Sequence, residues 1–83
     1  MKVQVRYFAS LREALGSSEA IEVPAKTTVD GLRELLWTRS EAHANALARG
    51  RTVRTAVNLG MSDGAVELSE GCEVAFFPPV TGG

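Results

Sequence analysis

The segment Cys72-Glu73-Val74-Ala75-Phe76-Phe77 runs directly into Pro78-Pro79, and that junction constrains the fold more than any other stretch. Every position of the segment except Glu73 is apolar, so an extended strand there needs cover on both faces. Such a strand belongs in the middle of a sheet or beneath a partner. The two prolines have no N–H to give to a ladder and favour extended backbone, which ends the strand at Phe77. Residues 78–83, Pro-Pro-Val-Thr-Gly-Gly, are therefore expected to project from the domain as a tail. The five residues past Pro78 reach roughly 17 Å. Gly82 and Gly83 carry no side chains, so the carboxylate of Gly83 is the least hindered acyl group a polypeptide can present. By composition alone a final Gly-Gly occurs in roughly one chain in 200. Its weight comes from the apolar strand and diproline just upstream.

The rest of the chain supplies the partners of that strand. Val3, Val5 and Tyr7 alternate with Gln4 and Arg6, the pattern of a half-buried strand over residues 2–8. Phe8 falls on the polar side of this alternation; it either turns inward as the strand ends or sits on the surface as a contact residue. Ser10 to Leu15 reads as a short helix with Ser10 as N-cap, Glu13 three residues on, and Gly16 past its end. Glu19 to Val23 alternates again and stops at Pro24, which suits a strand paired with the first. Thr27 or Thr28 caps the main helix and Asp30 complements its positive end. Val29, Leu32, Leu35 and Leu36 form its apolar stripe, with Trp37 partly exposed at the edge. Glu41 to Arg49 permits a second short helix. Arg51 to Leu59 holds a third strand, with Val53, Thr55, Val57 and Leu59 on one side. Gly60 and Asp63-Gly64 signal turns, and Ala65 to Leu68 reads as a short strand or extended segment. The order predicts a single α+β domain over 1–83, with 78–83 as its projecting tail. Its architecture is the β-grasp (ubiquitin-like) arrangement: a mixed sheet packed on one long helix, first and last strands adjacent at its middle.

Composition removes several functions. Nine basic and ten acidic residues give a net charge of −1 with no basic block, so no nucleic-acid partner is expected. Apolar runs of a few residues exclude a membrane span, and the alternating N-terminus is not a signal peptide. One cysteine argues for a reducing compartment, with cytoplasm as the default. His43 is the only histidine, and no metal-binding spacing surrounds it. Cys72 reads as a core thiol. The chemistry is thereby displaced to the tail. A carboxylate is a poor electrophile and must first be activated, for example by ATP as an acyl-phosphate anhydride. A sulfur nucleophile then displaces AMP and leaves a thioacid. Gly-Gly fits a closed channel that excludes water, with Phe77-Pro78-Pro79-Val80 as the docking surface.

The run Val74-Ala75-Phe76-Phe77-Pro78-Pro79-Val80-Thr81-Gly82-Gly83 resembles the C-termini of molybdopterin synthase small subunits, the ubiquitin-like sulfur carriers of molybdenum-cofactor synthesis. The likeness extends to Tyr7-Phe8-Ala9-Ser10-Leu11-Arg12-Glu13, to Thr28-Val29 and to Ala56-Val57-Asn58. It implies that an adenylating enzyme uses ATP to activate Gly83, that a sulfur-donor enzyme supplies the sulfur of a thiocarboxylate there, and that no cofactor is held permanently. It implies docking onto a large catalytic subunit in a heterotetramer, with two carriers delivering the two dithiolene sulfurs built onto cyclic pyranopterin monophosphate. By the same resemblance Phe8 and Phe77 are hydrophobic anchors, Pro78, Pro79, Val80, Thr81 and Gly82 line the partner's channel, and Arg12 lies near that surface. The carrier is then no enzyme by itself. A carrier of thiamine or tRNA-thiolation type, a ubiquitin-like modifier that conjugates to lysines, and a plain interaction module are the competing readings.

Overall fold

The computed structural model describes residues 1–48 and 50–79; the expectations for Val80, Thr81, Gly82 and Gly83 lie outside the described residues. Strand β1, Lys2–Tyr7, buries Val3, Val5 and Tyr7 and exposes the residues between them, as its alternation requires. Helix α1, Ser10–Leu15, returns the chain to β2, Ser18–Glu22, which pairs antiparallel with β1 through Val3↔Ile21 and Val5↔Glu19. Helices α2, Val29–Trp37, and α3, Glu41–Leu47, lead to β3, Arg54–Val57, β4, Gly60–Ser62, and β5, Glu73–Phe77. The sheet order is β2-β1-β5-β3-β4. Strand β5 is central, parallel to β1 and antiparallel to β3. That is the position its two-sided apolarity demanded, and the architecture is the β-grasp.

Several expectations need correction. The longest helix among the described residues has nine residues, so the helical layer is α2 together with α3 rather than one long helix. Ser10 is the first helical residue, not the cap. The N-cap is Ala9, at φ 54°, with no side-chain hydrogen bond; its carbonyl and that of Phe8 accept from Arg12 instead. Thr28 caps α2, its Oγ1 accepting from the Gly31 N–H at 3.1 Å. Leu35 leaves the stripe: Val29, Leu32 and Leu36 face the core, while Leu35 is 41% exposed on the helix flank. Trp37 is half-buried, as expected. The third strand is shorter than its pattern. Asn58 and Leu59 have φ 48° and 72° and make the two-residue connection between paired Val57 and Gly60, the geometry that hairpin twist favours. Leu59 is thus thrown out of the sheet and is 90% exposed, and Gly60 opens a strand instead of a turn. Of the two readings of Ala65 to Leu68 the extended segment holds rather than a strand: a single bridge joins Thr28 to Glu67, and Leu68 is buried.

The core lies between the sheet and the helices. Tyr7, Leu32, Leu36, Leu47, Val74 and Phe76 are essentially inaccessible, and the rings of Tyr7 and Phe76 stack with centroids 6.2 Å apart. Arg33 holds α3 in place. Its Nε donates to the Leu47 carbonyl at 2.6 Å, and its Nη2 donates to Ala48 and Arg51 carbonyls at 2.9 and 2.7 Å. These include carbonyls that a helix C-terminus leaves without intrahelical donors. Arg33→Met is expected to cost about 2 kcal/mol, lowering the melting temperature by roughly 8–16 °C in calorimetry.

Candidate functional site

The helices cover one face of the sheet; the other face carries the residues that alternate with the core. Register places Arg6 beside Ala75, Ala75 beside Ala56, and Ala56 beside Met61 in one row across that face. The next row contains Phe77 opposite Arg54. Phe8 follows Tyr7 and donates its N–H to the Phe76 carbonyl at 3.1 Å, so it continues the parallel ladder and lies beside Phe77. The open choice for Phe8 is resolved outward. It is 42% exposed, and the Arg6 guanidinium sits 5.9 Å from its ring centroid. Two aromatic rings are therefore presented together where β1 and β5 end.

Pro78 and Pro79 leave from the same end, half-buried. They form one wall of a groove of about 640 Å³ with Leu11, Ala14, Ala46 and Val53. Arg12 is exposed on α1, tied by its backbone to Phe8 and Ala9. Five of the expected site residues, Phe8, Arg12, Phe77, Pro78 and Pro79, thus gather at one end of the molecule. Val80, Thr81, Gly82 and Gly83 are the others, outside the described residues. Met61, 64% exposed, and Ala75 extend the apolar surface. Sequence reasoning missed Met61; reading Val57-Asn58-Leu59-Gly60 as a hairpin turn would have placed it opposite Ala56.

A polar cluster braces this end from the covered side. The Tyr7 hydroxyl donates to Glu19 Oε2 at 2.8 Å, Arg39 pairs with Glu19 Oε1, and His43 Nε2 lies 3.4 Å from Glu19 Oε2. His43 Nδ1 is 2.7 Å from Ser40 Oγ. The lone histidine therefore has an acid partner 24 positions away, a pairing no local spacing reveals. Burial raises the Tyr7 pKa well above its ordinary value, helped by the Glu19 hydrogen bond and charge. For Glu19 burial pushes upward, but the hydrogen bonds from Tyr7, Arg39 and His43 prevail and hold it below its ordinary value. A depressed carboxyl stabilises the fold above its unfolded pKa, and that contribution disappears as pH falls through the folded one. Glu19→Gln is expected to flatten the acid limb of the stability curve below about pH 4.5, measured as melting temperature against pH. An unchanged slope would show the cluster to be inert.

Among the described residues no group of three or more His, Cys, Asp or Glu side chains is placed to hold a metal ion, and Cys72 is buried. No helix of the described residues is long and apolar enough to cross a membrane.

Comparison with known proteins places this architecture. The model of the ThiS family matches residues 5–83. The molybdopterin synthase sulfur carrier subunit of Escherichia coli (strain K12) is 43% identical over 82 residues, covering 98% of this chain and 99% of that protein. Its counterpart from Haemophilus influenzae (strain ATCC 51907 / DSM 11121 / KW20 / Rd) is 35% identical over 82 residues with the same coverage. The fold also matches a solved protein–protein complex of subunits 1 and 2 of molybdopterin-converting factor from Helicobacter pylori 26695. There the TM-score is 0.71 at 26% identity, and the match spans 100% of both chains. On a family match over nearly its whole length and relatives of the same length, the chain belongs to the ThiS family, within which it is similar to molybdopterin synthase sulfur carrier subunits.

Proposed function

We propose that this protein is the sulfur-carrying subunit of a molybdopterin synthase, working in the cytoplasm and inactive as a catalyst without its large partner. The observation that carries this reading is the pair Phe8 and Phe77, side by side on the uncovered sheet face at the point where Pro78-Pro79 lead out. An apolar seat beside the exit of a Gly-Gly sequence suits a protein that docks by its body and delivers by its end. The Helicobacter pylori relative, solved as a complex of subunits 1 and 2, supports a large subunit as the acceptor.

In this account the Gly83 carboxylate attacks the α-phosphorus of ATP on an activating enzyme and releases pyrophosphate, giving an acyl-adenylate. Hydrosulfide equivalents from a sulfur-donor enzyme add to the acyl carbon. AMP leaves with the bonding electrons, a proton is lost, and a thiocarboxylate remains. Docking on the large subunit buries Phe8 and Phe77, with Arg12 at the margin. Pro78, Pro79, Val80, Thr81 and Gly82 then occupy the channel, where a β-carbon on either glycine would crowd the walls. The thiocarboxylate sulfur adds to a side-chain carbon of cyclic pyranopterin monophosphate and displaces an oxygen substituent there. That oxygen leaves with the bonding electrons and takes up a proton, so that a C–S bond replaces a C–O bond. Water cleaves the acyl–sulfur bond and restores the carboxylate, and a second carrier supplies the second dithiolene sulfur. The test is reconstitution: loaded carrier, large subunit and cyclic pyranopterin monophosphate are expected to yield the dithiolene, followed by chromatography of the pterin. Conjugates on lysine side chains with no dithiolene would establish a protein modifier instead.

A further inference from the structure

Four exposed arginines lie at the end of the molecule that carries the apolar seat and Pro78-Pro79. Arg54 stands opposite Phe77 in the β3–β5 register, and Arg6 stands beside Ala75 with its guanidinium over Phe8. Arg51 lines the groove walled by Pro78 and Pro79. Arg12 follows Phe8 on α1 and bonds back to it through the backbone. Arg6 is paired with Glu73 at 3.6 Å. Among the described residues Arg12, Arg51 and Arg54 have no ion-pair partner. This concentration is invisible in the net charge of −1, because the four are brought to one end by different elements: Arg6 and Arg54 by the sheet register, Arg12 by α1 and Arg51 by the connection that precedes β3.

We propose that these arginines form a basic collar that steers the carrier onto a protein opening rimmed with carboxylates, the rim of the large subunit's tail channel. The proposal rests on the carrier reading above and adds the chemistry of the partner surface to it. Docking Phe8 and Phe77 brings the unpaired guanidinium groups to the edge of the buried patch, where solvent is thinned. A neutral or basic rim there would leave them repelled or poorly solvated. Carboxylates would pair with them in the planar two-pronged geometry that arginine favours. Charges at an interface margin act mainly on the rate of association and on the choice of partner. The apolar seat holds the complex once formed, while the collar governs how often encounters succeed.

The test is stopped-flow association of the carrier with the large synthase subunit from the same organism, at low and at high salt. The Arg51→Glu/Arg54→Glu variant is expected to associate roughly tenfold or more slowly at low salt, with dissociation little changed and the deficit shrinking as salt screens the charges. Arg51→Lys/Arg54→Lys is expected to retain most of the rate, and Arg51→Gln/Arg54→Gln to fall between. Both side chains are exposed, and the lysine and glutamine pairs keep the series readable if charge reversal impairs folding. Equal rates across the series would overturn the collar, as would duplex DNA competing for the same surface. If Phe77→Ala weakens binding while the arginine series does nothing, the collar fails and the carrier reading survives. If the unaltered carrier does not bind the large subunit at all, both fail.

Discussion

Deletion of Gly83 is expected to abolish sulfur loading and synthase activity while leaving the melting temperature of the domain within a few degrees of the parent. The reason is chemical. In the proposed route every step uses the acyl carbon of that residue, and a carboxylate one residue shorter sits roughly 3.5 Å short of the catalytic groups that must reach it. Misplacement by as little as 1 Å already costs on the order of a hundredfold in rate, so loss below detection is the expected outcome. The core that carries stability is built from β1, β5, α2 and α3, upstream of the deletion. Loading assayed by intact mass and stability assayed by calorimetry separate the two effects. A truncated protein that still accepts sulfur, or one whose fold collapses, would contradict the assignment of Gly83 as the working end.

Phe77→Ala is expected to weaken binding to the large subunit by about 2 kcal/mol or more, roughly thirtyfold, because buried aromatic anchors dominate interfaces of this kind. Phe77 points away from the core: its neighbours Val74 and Phe76 are fully buried on the helix side, whereas Phe77 shares the open face with Ala75 and Arg54. Truncation removes apolar surface from that face and leaves the Tyr7–Phe76 stack intact. Titration calorimetry measures the affinity. Leu35→Ala, on the flank of α2 away from this face, is the comparison that should leave affinity unchanged. Equal affinity for Phe77→Ala and the parent would remove Phe77 from the interface.

Much of this arrangement was legible in the sequence wherever one strong local pattern determined one outcome. Two-sided apolarity in residues 72–77 placed β5 at the centre of the sheet, and the strict alternation of Val3, Val5 and Tyr7 set the buried side of β1. What escaped depended on geometry between distant segments. Leu35 and Leu36 are equally apolar and adjacent, and only the packing angle of α2 decides that Leu36 is buried. The β3–β4 turn was missed because its left-handed positions are Asn58 and Leu59 rather than a glycine pair. Gly60, which looked like the turn, is the first residue of the next strand. The Glu19 cluster joins residues from β1, β2 and α3 and the connection between α2 and α3. The proposed arginine collar likewise depends on the fold, which brings Arg6 and Arg54 together across β1, β5 and β3 and adds Arg12 from α1 and Arg51 from the connection before β3. The aromatic residues Phe8 and Phe77 were legible as types but not as a pair, since their adjacency follows from the parallel β1–β5 register.

The most direct measurement is the mass of the C-terminal peptide after the carrier has been incubated with an activating enzyme, ATP and a sulfur donor. The account predicts one oxygen-for-sulfur exchange located at Gly83, requiring ATP and reversed when the loaded carrier is mixed with the large subunit and cyclic pyranopterin monophosphate. Sulfur found on Cys72 instead, or no exchange at Gly83 under conditions that load a known carrier, would contradict it.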